Sequence, residues 1–295
     1  MPTLRANGID IEYEESGPSD GVPILLIMGL AAQLTAWPDA MLDDLNAAGF
    51  RTIRFDNRDI GLSEKMDGVR VPGVIAQVIM KRLRLRRHRS YTLSDMAADA
   101  AGVMDALGLE RAHVVGVSMG GMIAQILAAT RPDRVSSLTA IMTSTNAPGL
   151  PGPRRDVGKL LTNPGPPART EAQAIERSMA MWRLISTVDG GGTEEDLLAR
   201  VTRGVQRSMS PAGIRRQTAA IIETGDLRRY TRQITVPTLV IHGDSDPLVN
   251  IAGGRDIARI VPGARLEVME GMAHDLPPRH LPHITGLIGD HASTN

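Results

Sequence analysis

The chain has 295 residues, with 33 basic and 33 acidic side chains, so it carries no net charge at neutral pH and offers no electrostatic footprint for nucleic acid. It contains no cysteine, which excludes disulfides and thiolate metal sites. Its 42% apolar share is that of a soluble globular protein, and no apolar run is long enough to span a bilayer.

The chain enters strand-like sequence directly after Met1-Pro2, with no signal peptide, so the cytoplasm is the expected compartment. Residues 3–14 alternate around Asn7-Gly8, a hairpin signal. Residues 24–28 form a continuous apolar run, a buried strand ending in Gly29-Leu30-Ala31. A helix is expected over 37–48, stopped by Gly49. A strand over 51–55 then runs into Asp56-Asn57-Arg58-Asp59, read as a structural hydrogen-bonded loop near the site.

Residues 69–89 join an apolar run, 74–80, to a strongly basic one, 81–89. An amphipathic helix against an anionic membrane is one reading; a solvated face on a helix over the active site is the preferred one. Thr92-x-x-Asp95 resembles a capping box, and Met96, Ala100, Val103, Met104 and Leu107 share one face of the helix behind it. The β-branched run Val114-Val115-Gly116-Val117 stops at Ser118-Met119-Gly120-Gly121, and Met122, Ile123, Ile126 and Leu127 give the next segment a helical stripe. That is a strand, a sharp turn and a helix around Gly-x-Ser-x-Gly, a context that exposes a strained serine hydroxyl.

Another strand is expected over 135–142. Proline and glycine are then dense over 146–167, and three helices, 172–188, 194–209 and 211–224, follow without an intervening strand. This block interrupts a βα alternation and reads as an inserted cap. The expected division is a core of 1–145 and 233–295 and a helical cap of 146–232. Strand character returns at 238–242, followed by a helix over 251–260, a strand over 265–269 and a closing helix over 281–289. Alternating strands and helices imply a mostly parallel sheet, eight-stranded here, with helices on both faces. Catalytic residues should then lie just after strands.

A serine hydroxyl needs a base within hydrogen-bond reach, and the base needs an orienting acid. Of the seven histidines, His274 follows the last strand in a loop with Gly271, whereas His113 precedes its strand and His242 leads into an acidic turn as a packing or hydrogen-bonding residue. The acid should follow a strand between serine and histidine. Asp244 and Asp246 compete there; Asp246, held by Pro247, is the choice, with Asp244 fixing the turn. Two backbone N–H groups are expected to bind the developing oxyanion, that of Met119 after the nucleophile and that of Leu30 in the loop after the Met28 strand. Met28, Met179, Met181, Trp182 and Met209 are candidates for an apolar substrate pocket. Their plainer role is core packing. Fifteen methionines and few aromatics make such a lining adaptable.

Met28-Gly29, Trp37-Pro38, Asp56-Asn57-Arg58-Asp59-x-Gly61-x-Ser63, Gly116-x-Ser118-Met119-Gly120, Asp246-Pro247 and Gly271-Met272-x-His274 together resemble the α/β-hydrolase-fold serine esterases, within them the aclacinomycin methylesterase-like group. Met28 stands where many relatives carry histidine, and the His-Gly-Gly-Gly of lipases is absent. The resemblance implies ester hydrolysis through an acyl-enzyme, without metal or organic cofactor, on a small-molecule ester. Short-chain or compact hydrophobic esters fit a modest cap. A lactonase or a cofactor-free perhydrolase uses the same triad. A non-catalytic receptor on the same fold is the rival from another class. An epoxide hydrolase or haloalkane dehalogenase needs a carboxylate where Ser118 stands. No membrane anchor is expected, and a homodimer is left open.

Overall fold

A computed structural model describes residues 2–83, 91–163, 165 and 168–295. The chain starts with a hairpin, β1 (Thr3–Ala6) and β2 (Ile9–Ser16). Asn7 and Gly8 both take positive φ, 47° and 80°, as the two-residue turn between twisted strands requires. Six further strands follow: β3 (Val22–Ile27), β4 (Phe50–Phe55), β5 (Ala112–Val117), β6 (Val135–Ile141), β7 (Thr238–Gly243) and β8 (Arg265–Met269). They form one eight-stranded sheet in the order β1-β2-β4-β3-β5-β6-β7-β8. The β1–β2 and β2–β4 pairs are antiparallel and all others parallel. The expected mostly parallel sheet is therefore present, with an antiparallel hairpin at one edge.

Side chains alternate across the pleat, so each central strand feeds two cores. Leu25 and Ile27 of β3 pack on one face, with α3 (Leu93–Ala106) and α4 (Met119–Thr130). Ile24 and Leu26 pack on the other, with α1 (Asp39–Ala47) and α11 (Leu281–Ser293). Both faces are covered, which accounts for the apolar runs 24–27 of β3 and 114–117 of β5. The helix expected over 37–48 starts two residues later, because Pro38 serves as the N-cap and a short 3-10 turn, Leu34–Ala36, precedes it. The capping box of α3 forms: Thr92 N and Oγ1 both donate to Asp95 Oδ2, at 2.7 Å.

The helix α2 (Val74–Arg82) occupies the apolar part of residues 69–89. The rest of the basic run, 84–89, lies outside the described residues. Between β6 and β7 the described chain is helical: α5 (Arg155–Thr162), α6 (Glu171–Ile185), α7 (Glu194–Arg207), α8 (Pro211–Thr224) and α9 (Arg228–Thr231). Here α5 arises inside the stretch dense in proline and glycine, where no helix is expected. Proline and glycine crowd its flanks, while residues 155–162 contain only one glycine and no proline. The last helix before β8, α10 (Ala252–Ile260), follows β7. No described helix is long and apolar enough to cross a membrane.

Candidate active site

The six strands β3 to β8 run parallel, so their carboxyl ends open onto one rim, and Leu30, Ser118, Asp246 and His274 each follow a strand onto it. Ser118 follows β5 and serves as the N-cap of α4 with φ 55° and ψ −119°. The sharp turn is possible because Gly116 and Gly120 lack side chains. A Cβ on Gly116 would strike Gly120 O, and one on Gly120 would strike Ile27 O. The turn is pinned at both ends: Ser118 N donates to Ile141 O at 2.9 Å, and Thr143 Oγ1 donates to Ser118 O at 2.7 Å.

Asp246 follows β7 and His274 follows β8. His274 Nε2 lies 3.0 Å from Ser118 Oγ, and its Nδ1 lies 2.7 Å from Asp246 Oδ2. The second carboxylate oxygen of Asp246 accepts the N–H groups of Leu248 and Val249, both at 2.8 Å. Burial would push this carboxyl up, but the charge and hydrogen bond of His274, the nearby His242 ring and the Val249 N–H together hold it well below the usual carboxylate range. Asp244, the competing acid, is exposed and accepts from Ser245 Oγ and Gly271 N. It fastens the β7 turn to the histidine loop. His242 is fully buried, with Nε2 2.8 Å from Val249 O.

The histidine loop is also strapped to the chain after α6. His274 N donates to Ile185 O at 2.8 Å, and Ala273 N donates to Thr187 Oγ1 at 2.9 Å. Asp275 Oδ1 accepts from both Thr187 N and Thr187 Oγ1. Burial pushes the Asp275 carboxyl up despite those bonds.

The loop after β3 passes directly over the serine. A Cβ on Gly29 would lie 3.1 Å from Ser118 Cβ and 3.7 Å from its Oγ. Leu30 follows at once. Met119 opens α4, so its N–H is one of those a helix leaves without an internal partner, at the positive end of the helix dipole. Leu30 and Met119 thus adjoin Gly29 and Ser118, the two residues that approach each other here.

The pocket candidates divide. Met28 is 5% exposed and packs in the apolar core with Trp37, Met41 and Met272. Met179 is buried, Met181 and Trp182 are half-buried, and Met209 is exposed. The Trp182 ring carries the Arg200 guanidinium at 4.4 Å.

The Asp56–Asp59 loop after β4 does more than the sequence indicated. Asp56 accepts from Leu34 N, Leu62 N and Arg207 Nη1. Asp59 takes a two-pronged bond from Arg216, plus Tyr91 OH and Met66 N. Burial opposes ionisation of Asp59, but these partners win and hold its carboxyl low. Arg207 and Arg216 come from α7 and α8. No motif marked them, because a charged residue on an exposed-looking helix face gives no sign of a buried acid far away in sequence.

The model of the alpha/beta hydrolase fold family matches residues 22–279. The chain belongs to that family. Across 94% of its length this alpha/beta hydrolase is 29% identical to rhodomycin D methylesterase DnrP of Streptomyces peucetius, covering 93% of that protein. It is 27% identical to the putative non-heme bromoperoxidase BpoC of Mycobacterium tuberculosis, over 87% of each chain. Among solved structures, the enol-lactonase of Burkholderia xenovorans LB400 superposes with a TM-score of 0.75 at 24% identity, covering 99% of this chain and all of that one. That likeness speaks for the fold. The resemblance to methylesterases read from the motifs is matched by the first of these relatives.

Proposed function

We propose that this alpha/beta hydrolase cleaves carboxylic esters through a serine acyl-enzyme. The observation that carries the reading is the unbroken array Asp246–His274–Ser118, spaced 2.7 and 3.0 Å, on the rim beside the Gly29 loop. His274 Nε2 takes the Ser118 proton as Oγ attacks the acyl carbon. Asp246, kept ionised by its partners, accepts from Nδ1–H and stabilises the imidazolium. The N–H groups of Leu30 and Met119 receive the charge that develops on the carbonyl oxygen. His274 then protonates the leaving alcohol. A water molecule, deprotonated by the same imidazole, attacks the acyl-enzyme and releases the acid.

Residues 146–232 are the cap in this reading, and Met181 and Trp182 are two of its half-buried apolar side chains. Short-chain or compact hydrophobic esters are the substrates in this reading, and the methylesterase relative supports an ester with a small leaving alcohol. A panel of chromogenic esters of increasing acyl length, run on the wild type and on Ser118→Ala, tests the proposal. Turnover is expected on the short members and a loss of at least about 10⁴-fold in the variant. Retained turnover in Ser118→Ala would falsify the nucleophile.

The bromoperoxidase relative favours a second reading, a perhydrolase in which hydrogen peroxide replaces water at the acyl-enzyme. Peroxyacid formation that outpaces hydrolysis at equal nucleophile concentration would select it.

A further inference from the structure

We propose that Gln217, on α8, is a positioning residue that holds the Leu30 N–H where the oxyanion forms, so that catalytic geometry depends on a side chain from the inserted helices. The inference rests on the serine-esterase reading. The Gly29 loop is a tight turn in which Ala32 N donates to Gly29 O at 3.3 Å, and Ala31 has φ 65°. A residue with a Cβ does not stay in that conformation unaided. Beyond the bonds that the following Gln33 side chain makes to Gly204 O, Ser208 O and Arg207 Nη1, three bonds bear on the turn. Asn57 Nδ2 donates to Met28 O at 2.9 Å before it, Leu34 N donates to Asp56 Oδ1 at 2.7 Å after it, and Ala31 N donates to Gln217 Oε1 at 3.1 Å at its centre. The first two come from the loop after β4. The third is the one that acts on the strained residue.

Gln217 is itself immobilised. It is fully buried, and its Nε2 donates to Arg58 O at 3.0 Å, so each end of the amide has a partner and the amide cannot flip without losing both. The helix beneath it is seated by two residues on the same face. A Cβ on Gly213 would collide with Asp59 O, and Arg216 clasps both oxygens of Asp59 at 2.9 and 2.6 Å. Positions 213, 216, 217 and 220 lie on one face, and Ala220 is fully buried as well. The chain of support runs from Asp59 through α8 to the peptide next to Leu30. An oxyanion donor works within a few tenths of an ångström, so a turn free to relax at Ala31 would draw the Leu30 N–H out of range.

The test compares Gln217→Met, close in shape and without hydrogen bonds, with the wild type on an ester and on its thionoester. Sulfur is a poor hydrogen-bond acceptor, so an intact oxyanion site prefers the carbonyl oxygen. The expected result is a fall in kcat of about 10- to 100-fold with KM nearly unchanged, and a reduced ester-to-thionoester preference. A normal preference, or an equal loss on both substrates, overturns the proposal, because a structural defect lowers both together. Gln217→Glu keeps the proposal falsifiable if Gln217→Met does not fold. Its protonated carboxyl can accept from Ala31 N and donate to Arg58 O, so its activity relative to wild type is expected to rise as pH falls. A flat ratio overturns the proposal. Turnover that survives Ser118→Ala removes the serine reading and this inference with it. An inactive Ser118→Ala beside an unchanged preference in Gln217→Met removes the inference alone.

Discussion

Ser118 is held in a backbone conformation that costs an L-residue about 1–3 kcal/mol. Neighbouring glycines and the bonds to Ile141 and Thr143 keep it there, and the outcome is a hydroxyl that faces His274 without side-chain rearrangement. The same residue scale separates the two aspartates. Asp246→Asn is expected to lower kcat by about 10⁴-fold, because an amide presents a donor to Nδ1 and favours the wrong imidazole tautomer. Asp244→Asn touches only the turn and the Gly271 N–H, and its kcat is expected to stay within about tenfold of wild type. Initial rates on one short ester decide between them. That Ser118, Asp246 and His274 would meet at one rim was legible, because each follows a strand and each lies in a motif whose chemistry is local. Gln217, Arg207 and Arg216 were not. Their partners lie more than 150 residues away, and nothing in a helical stripe indicates which polar residue will meet a buried carboxylate or a strained turn.

At the scale of elements, α8 binds the rim through the Arg216–Asp59 pair, in which both side chains are nearly inaccessible. Breaking such a pair leaves an unpaired buried charge. Arg216→Ala is therefore expected to lower stability by about 3–5 kcal/mol, read as a shift of the urea midpoint. The pair is also pH-sensitive. The Asp59 carboxyl is depressed in the folded state, so its contribution is complete above the ordinary carboxylate range and is lost as pH falls through the lowered value. Urea titrations of the wild type and Arg216→Ala across the acid range are expected to converge as pH falls. The elements themselves were mostly readable, since buried parallel strands and striped helices announce themselves by period. The boundaries of α1 and the existence of α5 were not. At α1, Pro38 takes the N-cap, and at α5 a short amphipathic turn lies among proline and glycine.

For the whole molecule, the end of the sheet opposite the candidate site carries its own acid sensitivity. His113 is buried with Nδ1 2.8 Å from Ser137 Oγ; burial first, then His291 and Arg111, push it down to about 4. Burial also lowers His291. An unfolded chain takes up these protons below about 6.5. Between that value and about 4 the unfolded state binds more protons, so stability falls as pH drops through the window. His113→Gln is expected to flatten that slope in thermal unfolding measured from pH 7 to 4. If the slope is the same in the variant, the histidine is not its source.

The Thr187 strap has a further consequence. It fastens the exit of α6 to residues 273–275 on either side of the imidazole, while α7 and α8 are fastened across the rim at Asp56 and Asp59. Helices anchored at both sides of the rim cannot swing out like a hinged door without dragging His274 with them. In the proposed reaction, entry of a bulky ester would then register as a slower proton transfer as well as weaker affinity. Thr187→Val, which cuts the strap and keeps the shape, is expected to change turnover and Michaelis constant together.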